Sequence, residues 1–475
     1  MERGNLSRRG FLQRSLAGLT VSAGLPLWFA REVLAQQEER VPRKGRRAAA
    51  NDRVLIGAIG IGSPGGRNEQ LMHDVLGLKR QIQYAAVCDV DGRHRDHAAA
   101  MLKQHGMNVQ QYKDFRELLD RKDINAVLIA TPDHWHTLVA LEAMKRGKDV
   151  YCEKPLTLTI DEGKALVKMA QDKKTVFQVG SQQRSDARFR LACELVRNGR
   201  IGTIKTVETR IGDAPTSPPI PSVEPPKELD WDFWLGPTPK VDYMELKQGK
   251  ETYTRCHYQF RWWYEYSGGK MTDWGAHHND IAQWGLGMDG NGPVAVEAEG
   301  TPPPKTNNQY NCHAHFKVTY TYANGAKVVC ADTQLPGAPD PKTTQITRKD
   351  GRERNVGHDN GILFVGEDGK WIFVNREIIT ASDKKLLDEP LSGDAQRLEV
   401  SNNHMGNFFD CLGTRKRPIC DVEIGHRSVT VCHLGVIALR SGMKLKWNPK
   451  TERFEDEEAN KWLSREMRAP WKIET

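Results

Sequence analysis

The stretch RVLIGAIGIGSPGG, residues 53–66, decides the fold of the N-terminal half of this chain. Its first half is short, apolar and rich in β-branched residues, which predicts a buried strand. Gly60, Gly62 and Gly65 follow with the spacing G-x-G-x-x-G, and Ile61 lies between the first two. We expect Gly60 to permit a tight turn, Gly62 to let the backbone approach a pyrophosphate, and Gly65 to let the next helix pack closely. The segment, Ile61 included, is therefore predicted to bind a dinucleotide.

Short apolar runs recur after this strand, with helical periodicity between most of them. The predicted buried strands are Arg53 to Ile61, Ile82 to Cys88, Asn125 to Ala130, Asp149 to Cys152 and Thr175 to Val179. This succession requires right-handed crossovers and hence a doubly wound parallel sheet. The sequence predicts a Rossmann domain of the α/β class over residues 52–180.

The end of the second predicted strand bears on the choice of cofactor. Asp89 stands there, where a carboxylate can accept hydrogen bonds from the hydroxyls of the adenosine ribose. This favours NAD. Arg93 and Arg95 lie close enough in sequence to meet a 2′-phosphate, so NADP stays open as the alternative.

Polar residues also follow the later strands of the predicted sheet. Thr131, Pro132 and His136 follow one strand, and Glu153 and Lys154 follow the next. Ligands of open α/β sheets bind at the carboxyl ends of the strands. We therefore expect these five residues to contact the cofactor.

A second motif, Asp273-Trp274-Gly275-Ala276-His277-His278-Asn279-Asp280, lies far downstream. With Glu153-Lys154-Pro155 after a Rossmann strand, it resembles the glucose-fructose oxidoreductase, inositol dehydrogenase and rhizopine catabolism family (Gfo/Idh/MocA). Passages near residues 407–411, 425–428 and 470–471 resemble exported members of that family. The resemblance covers essentially the whole mature chain and implies an NAD(P)-dependent oxidoreductase acting on CH–OH groups.

The resemblance also implies roles for individual residues. Lys154 would donate a hydrogen bond or proton to the reacting oxygen, and His277 would be the general acid/base. Asp273, one helical turn before His277, would bind substrate or steady the imidazole. Asp280 would reach a sugar hydroxyl, and His278 is both a substrate contact and the rival base. Homo-oligomerisation is a further expectation from the family.

The second half, residues 181–475, is predicted to be an α+β domain with a large, mainly antiparallel open sheet. Its strand candidates are Thr203 to Gly212, Asn308 to Tyr322, Lys327 to Thr333 and the pair within Gly361 to Asn375. Helical periodicity returns at Asn402 to Leu412 and Gly425 to Leu439. We expect these helices to pack back on the first domain.

An aromatic segment is a candidate wall for a sugar pocket. Six of the nine residues from Tyr258 to Tyr266 are aromatic, and Arg261 lies among them. Planar rings can stack on sugars while polar neighbours bind hydroxyls, which makes Tyr258 and Arg261 candidate substrate contacts. Packing in a hydrophobic core is the alternative interpretation.

Composition excludes several classes of protein. At 475 residues and 38% hydrophobic content there is material for two cores. The net charge of +8 lies mostly in residues 1–47, and the small remainder predicts no nucleic-acid partner. Nine cysteines without C-x-x-C spacing predict neither a disulfide framework nor a zinc ribbon, and no metal ligand is predicted.

The N-terminus predicts export. Arg8 and Arg9 precede the apolar run Leu16 to Ala30, and Val33-Leu34-Ala35 offers a cleavage site. We interpret residues 1–35 as a twin-arginine signal peptide, read by the Tat translocase, and residues 36–51 as a disordered leader. The apolar run is too short for a permanent membrane anchor. The expected location is the periplasm.

Export of a folded protein constrains the expected activity. Since free dinucleotide is scarce outside the cytoplasm, the protein should hold its cofactor tightly. The leading hypothesis is oxidation of a secondary hydroxyl of a sugar, glycoside or cyclitol. The alternatives are redox-neutral glycoside cleavage, seen in some exported relatives of this family, and a non-catalytic sugar-binding Rossmann protein.

Overall fold

The computed structural model describes residues 24–39, 53–78, 82–337, 339, 344–347 and 352–474. The twin-arginine pair and the start of the apolar run lie outside these residues. The first element is helix α1, Leu27–Glu39. Within the described residues, no helix combines the length and the apolar character needed to cross a bilayer.

The N-terminal domain is built on a six-stranded parallel sheet. Its strands are β1 Val54–Ile59, β2 Ile82–Cys88, β3 Gln110–Tyr112, β4 Ala126–Ile129, β5 Asp149–Cys152 and β6 Phe177–Val179. They lie in the order β3-β2-β1-β4-β5-β6, and every neighbouring pair is parallel. This is the doubly wound Rossmann order, and it confirms the predicted fold class.

Helices cover both faces of this sheet. They are α2 Arg67–Gly77, α3 Gly92–Gln104, α4 Phe115–Leu119, α5 Asp133–Lys145 and α6 Ile160–Lys173. Side chains cap the first turns: Asp91 and Asp114 each accept a backbone N–H bond at the start of α3 and α4. These caps set where each helix begins after its strand, and hence where the connecting loops lie.

The C-terminal domain holds a nine-stranded sheet in the order β17-β16-β15-β7-β12-β11-β10-β18-β19. Its strands are β7 Ile204–Arg210, β10 Ala295–Gly300, β11 Phe316–Thr321, β12 Lys327–Ala331, β15 Gly361–Gly366, β16 Trp371–Val374, β17 Ile379–Ala381, β18 Leu445–Asn448 and β19 Arg453–Phe454. Two small hairpins pair β8 Glu245–Gln248 with β9 Glu251–Thr254, and β13 Thr344–Thr347 with β14 Glu353–Val356. Among the nine described strands of this sheet, β7 and β12 pair in parallel and the other neighbours are antiparallel, so the predicted, mainly antiparallel sheet is confirmed.

Helices of the C-terminal domain pack on this sheet and on the Rossmann domain. They are α7 Ala187–Arg197, α8 Trp231–Leu235, α9 Lys270–Asp273, α10 Gly275–Leu286, α11 Lys385–Asp388, α12 His404–Thr414, α13 Val422–Ser441 and α14 Glu457–Asn460. Ile281 of α10 and Val431 of α13 are buried in the core against the sheet. Phe408 of α12 packs in a cluster with Ile56 of β1 and Leu71 of α2. The two domains therefore share a packed boundary, and the site described below lies along it.

Helix α1 joins the C-terminal domain through a set of buried residues: Leu25, Phe29, Ala30 and Val33. Nε1 of Trp28 also donates a hydrogen bond to the carbonyl of Leu387, at 2.9 Å. The predicted boundary between signal and leader falls inside this helix, because α1 continues to residue 39. The prediction of a disordered leader is therefore wrong for residues 36–39, and residues 40–51 lie outside the described residues.

Candidate active site at the domain boundary

The glycine loop follows β1, and Gly60, Gly62 and Gly65 in it have positive φ angles. Other residues adopt such angles only at a cost in free energy. Gly60 has φ +77°, and a Cβ there would lie 2.5 Å from the backbone nitrogen of Thr131. Gly62 has φ +71°, and its N–H donates to Oδ2 of Asp89 at 2.9 Å. Gly65 has φ +75°, but a Cβ there would meet nothing within 4 Å. Gly65 thus serves backbone conformation, and the prediction that it allows close helix packing is wrong.

Asp89 is a carboxylate at the end of β2 whose side chain is 9% exposed. It accepts hydrogen bonds from the backbone N–H groups of Gly62 and Asp91, each at 2.9 Å. Burial alone would raise the pKa of this carboxyl, but His94 and the two N–H groups outweigh burial and lower it. The carboxylate therefore stands where a Rossmann domain binds the ribose hydroxyls of a dinucleotide.

Arg93 and Arg95 were the reason to keep NADP as the alternative cofactor, but in the structure both already have hydrogen-bond acceptors. The guanidinium of Arg93 makes a bidentate contact with Asp91, at 3.0 and 2.5 Å. Arg95 donates to the backbone carbonyl of Asp89. A 2′-phosphate here would face two carboxylates, Asp89 and Asp91, and no arginine that lacks an acceptor. The arrangement favours NAD.

A cleft runs from the glycine loop across the domain boundary. Ile61, Thr131 and Pro132 line one side, and Tyr258 and Arg261 of the C-terminal domain line the other. It encloses about 1250 Å³ of empty space, open solvent included. Within the described chain, the buried Oγ1 of Thr131 has no hydrogen-bond partner. Left-handed glycines at the start of α2, the carboxylate of Asp89 and this free hydroxyl fit a dinucleotide.

Two of the predicted cofactor contacts hold loops in place. His136 is buried, and its ring nitrogens lie 2.8 Å from the carbonyl oxygens of Thr131 and Pro155. It joins the loops that follow β4 and β5. Glu153 is also buried and accepts a hydrogen bond from Nε of Arg67 at 2.8 Å. Both side chains therefore position the loops around the cleft, and their direct contact with the cofactor stays a prediction.

Lys154 and Asp273 form an ion pair across the domain boundary. Nζ of Lys154 donates to Oδ1 of Asp273 at 2.8 Å and to its backbone carbonyl at 2.9 Å. Nε of Arg261 lies 3.5 Å from the same carboxylate oxygen. Burial would raise the pKa of Asp273, but the charges of Lys154 and Arg261 lower it to about 2. Asp273 thus orients Lys154, and in the described structure it makes no hydrogen bond to His277.

His277, on the first turn of α10, is buried beside these charges. No described residue is a hydrogen-bond partner of its Nδ1. Its pKa lies well below the ordinary value, first because of burial and then because of the positive charges of Lys154 and Arg376. The imidazole is therefore neutral at neutral pH and can accept a proton.

His278, the predicted rival base, is fully buried and has partners on both ring nitrogens. Nε2 lies 2.8 Å from Oδ1 of Asn360, and Nδ1 lies 3.4 Å from Nε2 of Gln183. Burial lowers its pKa to about 3. The prediction that His278 binds substrate or acts as the base is wrong, because it stabilises the packing of α10.

Asp280 is another residue of the motif that serves the fold. It is fully buried, and Nε and Nη2 of Arg184 donate to its carboxylate at 2.8 to 2.9 Å. Oγ of Ser428 donates to Oδ1 at 2.5 Å. Its predicted contact with a sugar hydroxyl is wrong, because the carboxylate is enclosed by these donors.

Most of the aromatic segment packs in a hydrophobic cluster. Trp263 and Tyr266 are buried in a hydrophobic cluster of the C-terminal domain, which was the alternative interpretation. Tyr258 is 62% exposed, and the guanidinium of Arg261 lies 4.3 Å from its ring centroid. Both lie along the dinucleotide cleft. Their position favours contact with a bound dinucleotide, and their contact with substrate stays a prediction.

Comparison with known proteins agrees with this geometry. The family model described as "Oxidoreductase family, NAD-binding Rossmann fold" matches residues 54–181. The model described as "Oxidoreductase family, C-terminal alpha/beta domain" matches residues 217–351 and 390–473. The chain belongs to the Gfo/Idh/MocA oxidoreductase family. Its N-terminal domain is the family's NAD-binding domain, which confirms the resemblance seen in the sequence.

Several relatives are similar to parts of the chain. Inositol 2-dehydrogenase of Salmonella paratyphi B is 31% identical over 193 residues, 38% of this chain and 54% of that protein. A glycosyl hydrolase family 109 protein of Shewanella pealeana is 32% identical over 177 residues, 35% of this chain and 37% of that protein. The matched segments thus span about half or less of these relatives.

A solved structure shows the same fold over most of the chain. It is the WlbA dehydrogenase from Bordetella pertussis in complex with NADH and UDP-GlcNAcA, with a TM-score of 0.58. The match covers 83% of this chain and 99% of that one, at 18% identity. At this identity, the similarity establishes the Gfo/Idh/MocA fold alone.

Three further residues lie near His277 in this Gfo/Idh/MocA protein and were not predicted from the sequence. The ring of Trp274 lies 5.9 Å from that of His277, edge to face. Nζ of Lys270 and Cζ of Arg376 lie 5.9 and 4.6 Å from the Trp274 ring centroid. Lys270 and Trp274 flank the Asp273 motif and could have been considered. Arg376 follows β16, and no local pattern marks it.

Proposed function

We propose that this protein is an NAD-dependent oxidoreductase that oxidises a secondary hydroxyl of a sugar, glycoside or cyclitol and holds its cofactor tightly. One observation carries the proposal: the Lys154–Asp273 ion pair lies beside a neutral, buried His277, at the edge of the sheet that bears the dinucleotide cleft. Oxidation of an alcohol needs a base that takes the hydroxyl proton, and a hydrogen-bond donor to the reacting oxygen assists it.

Lys154, His277 and Asp273 have separate roles in the proposed reaction. NAD, when bound along the glycine loop, supplies a nicotinamide ring that accepts a hydride. Nζ of Lys154 donates a hydrogen bond to the substrate oxygen, and the imidazole of His277 takes the hydroxyl proton. Asp273 keeps the ammonium group aimed at that oxygen through the 2.8 Å ion pair. Because His277 and Asp273 are buried and the Lys154 side chain is only 14% exposed, water competes little for these contacts.

Tight retention of the cofactor is part of the proposal. The cleft has one wall from each domain, and Tyr258, Phe260 and Arg261 lie across from the glycine loop. Arg261 also reaches from this wall to Asp273 at 3.5 Å. Release of a dinucleotide would therefore require the boundary between the domains to loosen, which supports slow dissociation.

The test is to purify the full chain without added nucleotide, denature it and identify what is released. We expect NAD or NADH at close to one equivalent. The intact protein is then given neutral and anionic sugars, cyclitols and aryl glycosides while absorbance of reduced nicotinamide is followed. A protein that releases no nucleotide and cannot retain added NAD contradicts the proposal. Sugar binding without any change in absorbance would instead favour the non-catalytic sugar-binding protein.

A second candidate function is glycoside cleavage without net consumption of the cofactor. The similarity of 177 residues to a glycosyl hydrolase family 109 protein favours it. The same Lys154 and His277 would serve, because the first step is again oxidation of a carbinol. Many turnovers of an aryl glycoside without a second substrate would select this candidate. A strict need for an added electron acceptor would select net oxidation.

We also propose that the chain is exported by the twin-arginine pathway and works in the periplasm. The motif at Arg8 and Arg9 supports this, as does a cleft between two packed domains that can take up NAD before export. Changing both arginines to lysine should leave the protein in the cytoplasm, as measured by cell fractionation. Equal periplasmic amounts of both forms would contradict export by this route. We also propose homo-oligomerisation, on the basis of the family resemblance. Measuring the mass of the protein in solution tests it.

A further inference from the structure

Five cationic side chains surround the reactive group: Arg67, Lys154, Arg261, Lys270 and Arg376. Two acidic residues balance three of them. Glu153 accepts a hydrogen bond from Arg67 at 2.8 Å, and Asp273 lies 2.8 Å from Lys154 and 3.5 Å from Arg261. Among the described residues, Lys270 and Arg376 have no acidic partner.

These two cations share one aromatic neighbour and have no acid of their own. Both lie over the ring of Trp274, at 5.9 and 4.6 Å from its centroid. In the described part of the chain, neither is paired with a carboxylate or donates to an acceptor. Besides Asp273, the acids whose charge acts on them are Asp213 for Lys270, and Asp186 and Glu153 for Arg376; Asp186 is already held by Arg188 at 2.6 Å.

Lys270 is partly buried and Arg376 is exposed, and a cation without an ionic partner is a favourable site for an anion. Partial desolvation lowers the pKa of both Lys270 and Arg376, and the charge of Arg67 lowers that of Arg376 further. Cations that lose water without gaining a partner destabilise a fold. An anion bound near both would offset that cost, and each side chain keeps an exposed part that a ligand can reach.

The position of this pair relates it to the substrate. Trp274 directly precedes α10, and its ring lies 5.9 Å from that of His277. Its indole is partly exposed, and a sugar ring can contact this apolar group beside the two cations. A ring placed there would have its reacting hydroxyl at His277 and a substituent at Lys270 and Arg376.

We propose that the substrate is an anionic sugar, whose carboxylate, phosphate or sulfate binds Lys270 and Arg376 over Trp274. This inference rests on the proposed function, because it places the reacting hydroxyl at His277. The shared chemistry is a charged oxygen group on a sugar ring. Matched substrates distinguish a uronate from a phosphorylated or sulfated sugar.

The experiment compares matched substrates on the protein as purified with its nucleotide. An aryl glucoside, the corresponding glucuronide, the 6-phosphate and the 6-sulfate differ only at one carbon. At least one anionic member should exceed the neutral one in kcat/KM by about tenfold or more, because charge-assisted hydrogen bonds are strong. Lys270→Met and Arg376→Met should each reduce that ratio by about tenfold. Arg354→Met, which removes an exposed arginine paired with Glu377 in the same domain, is the control.

A binding measurement keeps the test independent of turnover. Tryptophan fluorescence is titrated with glucuronate, glucose 6-phosphate, glucose 6-sulfate and glucose in the wild type and in the three variants. Tighter binding of an anion, lost in Lys270→Met and Arg376→Met but kept in Arg354→Met, supports the inference. Equal affinity for all four ligands, or an anion preference that both variants retain, overturns it. Turnover of neutral sugars with no anion preference would overturn it while leaving the proposed function intact.

Discussion

The ammonium group of Lys154 lies 2.8 Å from Oδ1 of Asp273, although 119 residues separate them along the chain. The contact joins the loop after β5 to the end of α9, and therefore joins the two domains at the reactive group. Asp273 stays ionised because Lys154 and Arg261 lower its pKa to about 2, against the effect of burial. The ion pair therefore holds the ammonium group of Lys154 in place where the two domains meet.

Replacing the lysine should separate chemistry from folding. We expect Lys154→Met to lower kcat by about 10²- to 10⁴-fold, because the substrate oxygen loses its donor. Asp273 keeps Arg261 as a neighbour, so the protein should still fold and release NAD on denaturation. Steady-state kinetics and nucleotide content give the two readouts. Lys168→Met, at an exposed ion pair with Asp172, is the control, and equal kcat in both variants would refute the role.

The two adjacent histidines should behave differently. His277→Asn should abolish measurable turnover while leaving stability close to that of the wild type, because Nδ1 has no partner among the described residues. His278→Asn should retain turnover but lose about 1 to 3 kcal/mol of unfolding free energy, because buried partners such as Asn360 lose their hydrogen bonds. Kinetics and denaturant titration measure both. Normal turnover in His277→Asn would remove the assignment.

The pH profile should report the lowered pKa of His277. A base acts in its unprotonated form, so kcat/KM falls as the pH drops through its pKa. Since burial and nearby cations lower that pKa, the acid limb should lie below pH 6.5, the ordinary histidine value. Arg376→Met removes one of those cations and should move the limb upward. Profiles from about pH 4 to 8 test this, and a limb at or above 6.5 in the wild type would contradict it.

The choice between NAD and NADP should depend on Asp91. We expect NADP to bind at least about tenfold more weakly than NAD, because its 2′-phosphate would meet Asp89 and Asp91. Asp91→Ser keeps a capping side chain for α3 and releases Arg93. That variant should gain affinity for NADP. Titration of nucleotide-free protein measures both constants, and similar affinities for the two nucleotides in the wild type would disprove the placement of the ribose.

Helix α1 should contribute to stability. Phe29→Ala should lower the unfolding free energy by about 3 to 5 kcal/mol, because the ring is fully buried and packs 4.6 Å from the guanidinium of Arg190. Leu27→Ala on the same helix, 49% exposed, should change it by less than about 0.5 kcal/mol. Denaturant unfolding of the full chain provides the comparison. Equal stability of the two variants would show that α1 does not pack as described.

The Rossmann half could be predicted because its signals are local. A strand followed by glycines with fixed spacing and a carboxylate at the end of the next strand are properties of short segments. Gly60 illustrates this, since its backbone geometry and the approach of Thr131 allow no side chain. The site was predictable to the extent that the motif at Asp273 and His277 resembles a family.

The roles of Asp280, His278 and Tyr258 could not be predicted in the same way. Each is polar or aromatic and lies near a motif, which made it a reasonable candidate. Their partners come from distant parts of the chain: Arg184 encloses Asp280, and Asn360 bonds to His278. Tyr258 faces the nucleotide cleft only because the C-terminal domain folds over the glycine loop.

The sequence by itself determined the doubly wound parallel sheet and the dinucleotide loop, and its resemblance to a family indicated Lys154 and His277 as the residues proposed to act on the substrate hydroxyl. Backbone geometry and side-chain chemistry act over a few residues, so these features are written in short stretches. Only the tertiary structure decided which charges are buried, which are paired and which are left without a partner. Burial and pairing depend on segments such as Lys154 and Asp273 that meet only when both domains have formed, and those contacts determine the electrostatics of the site.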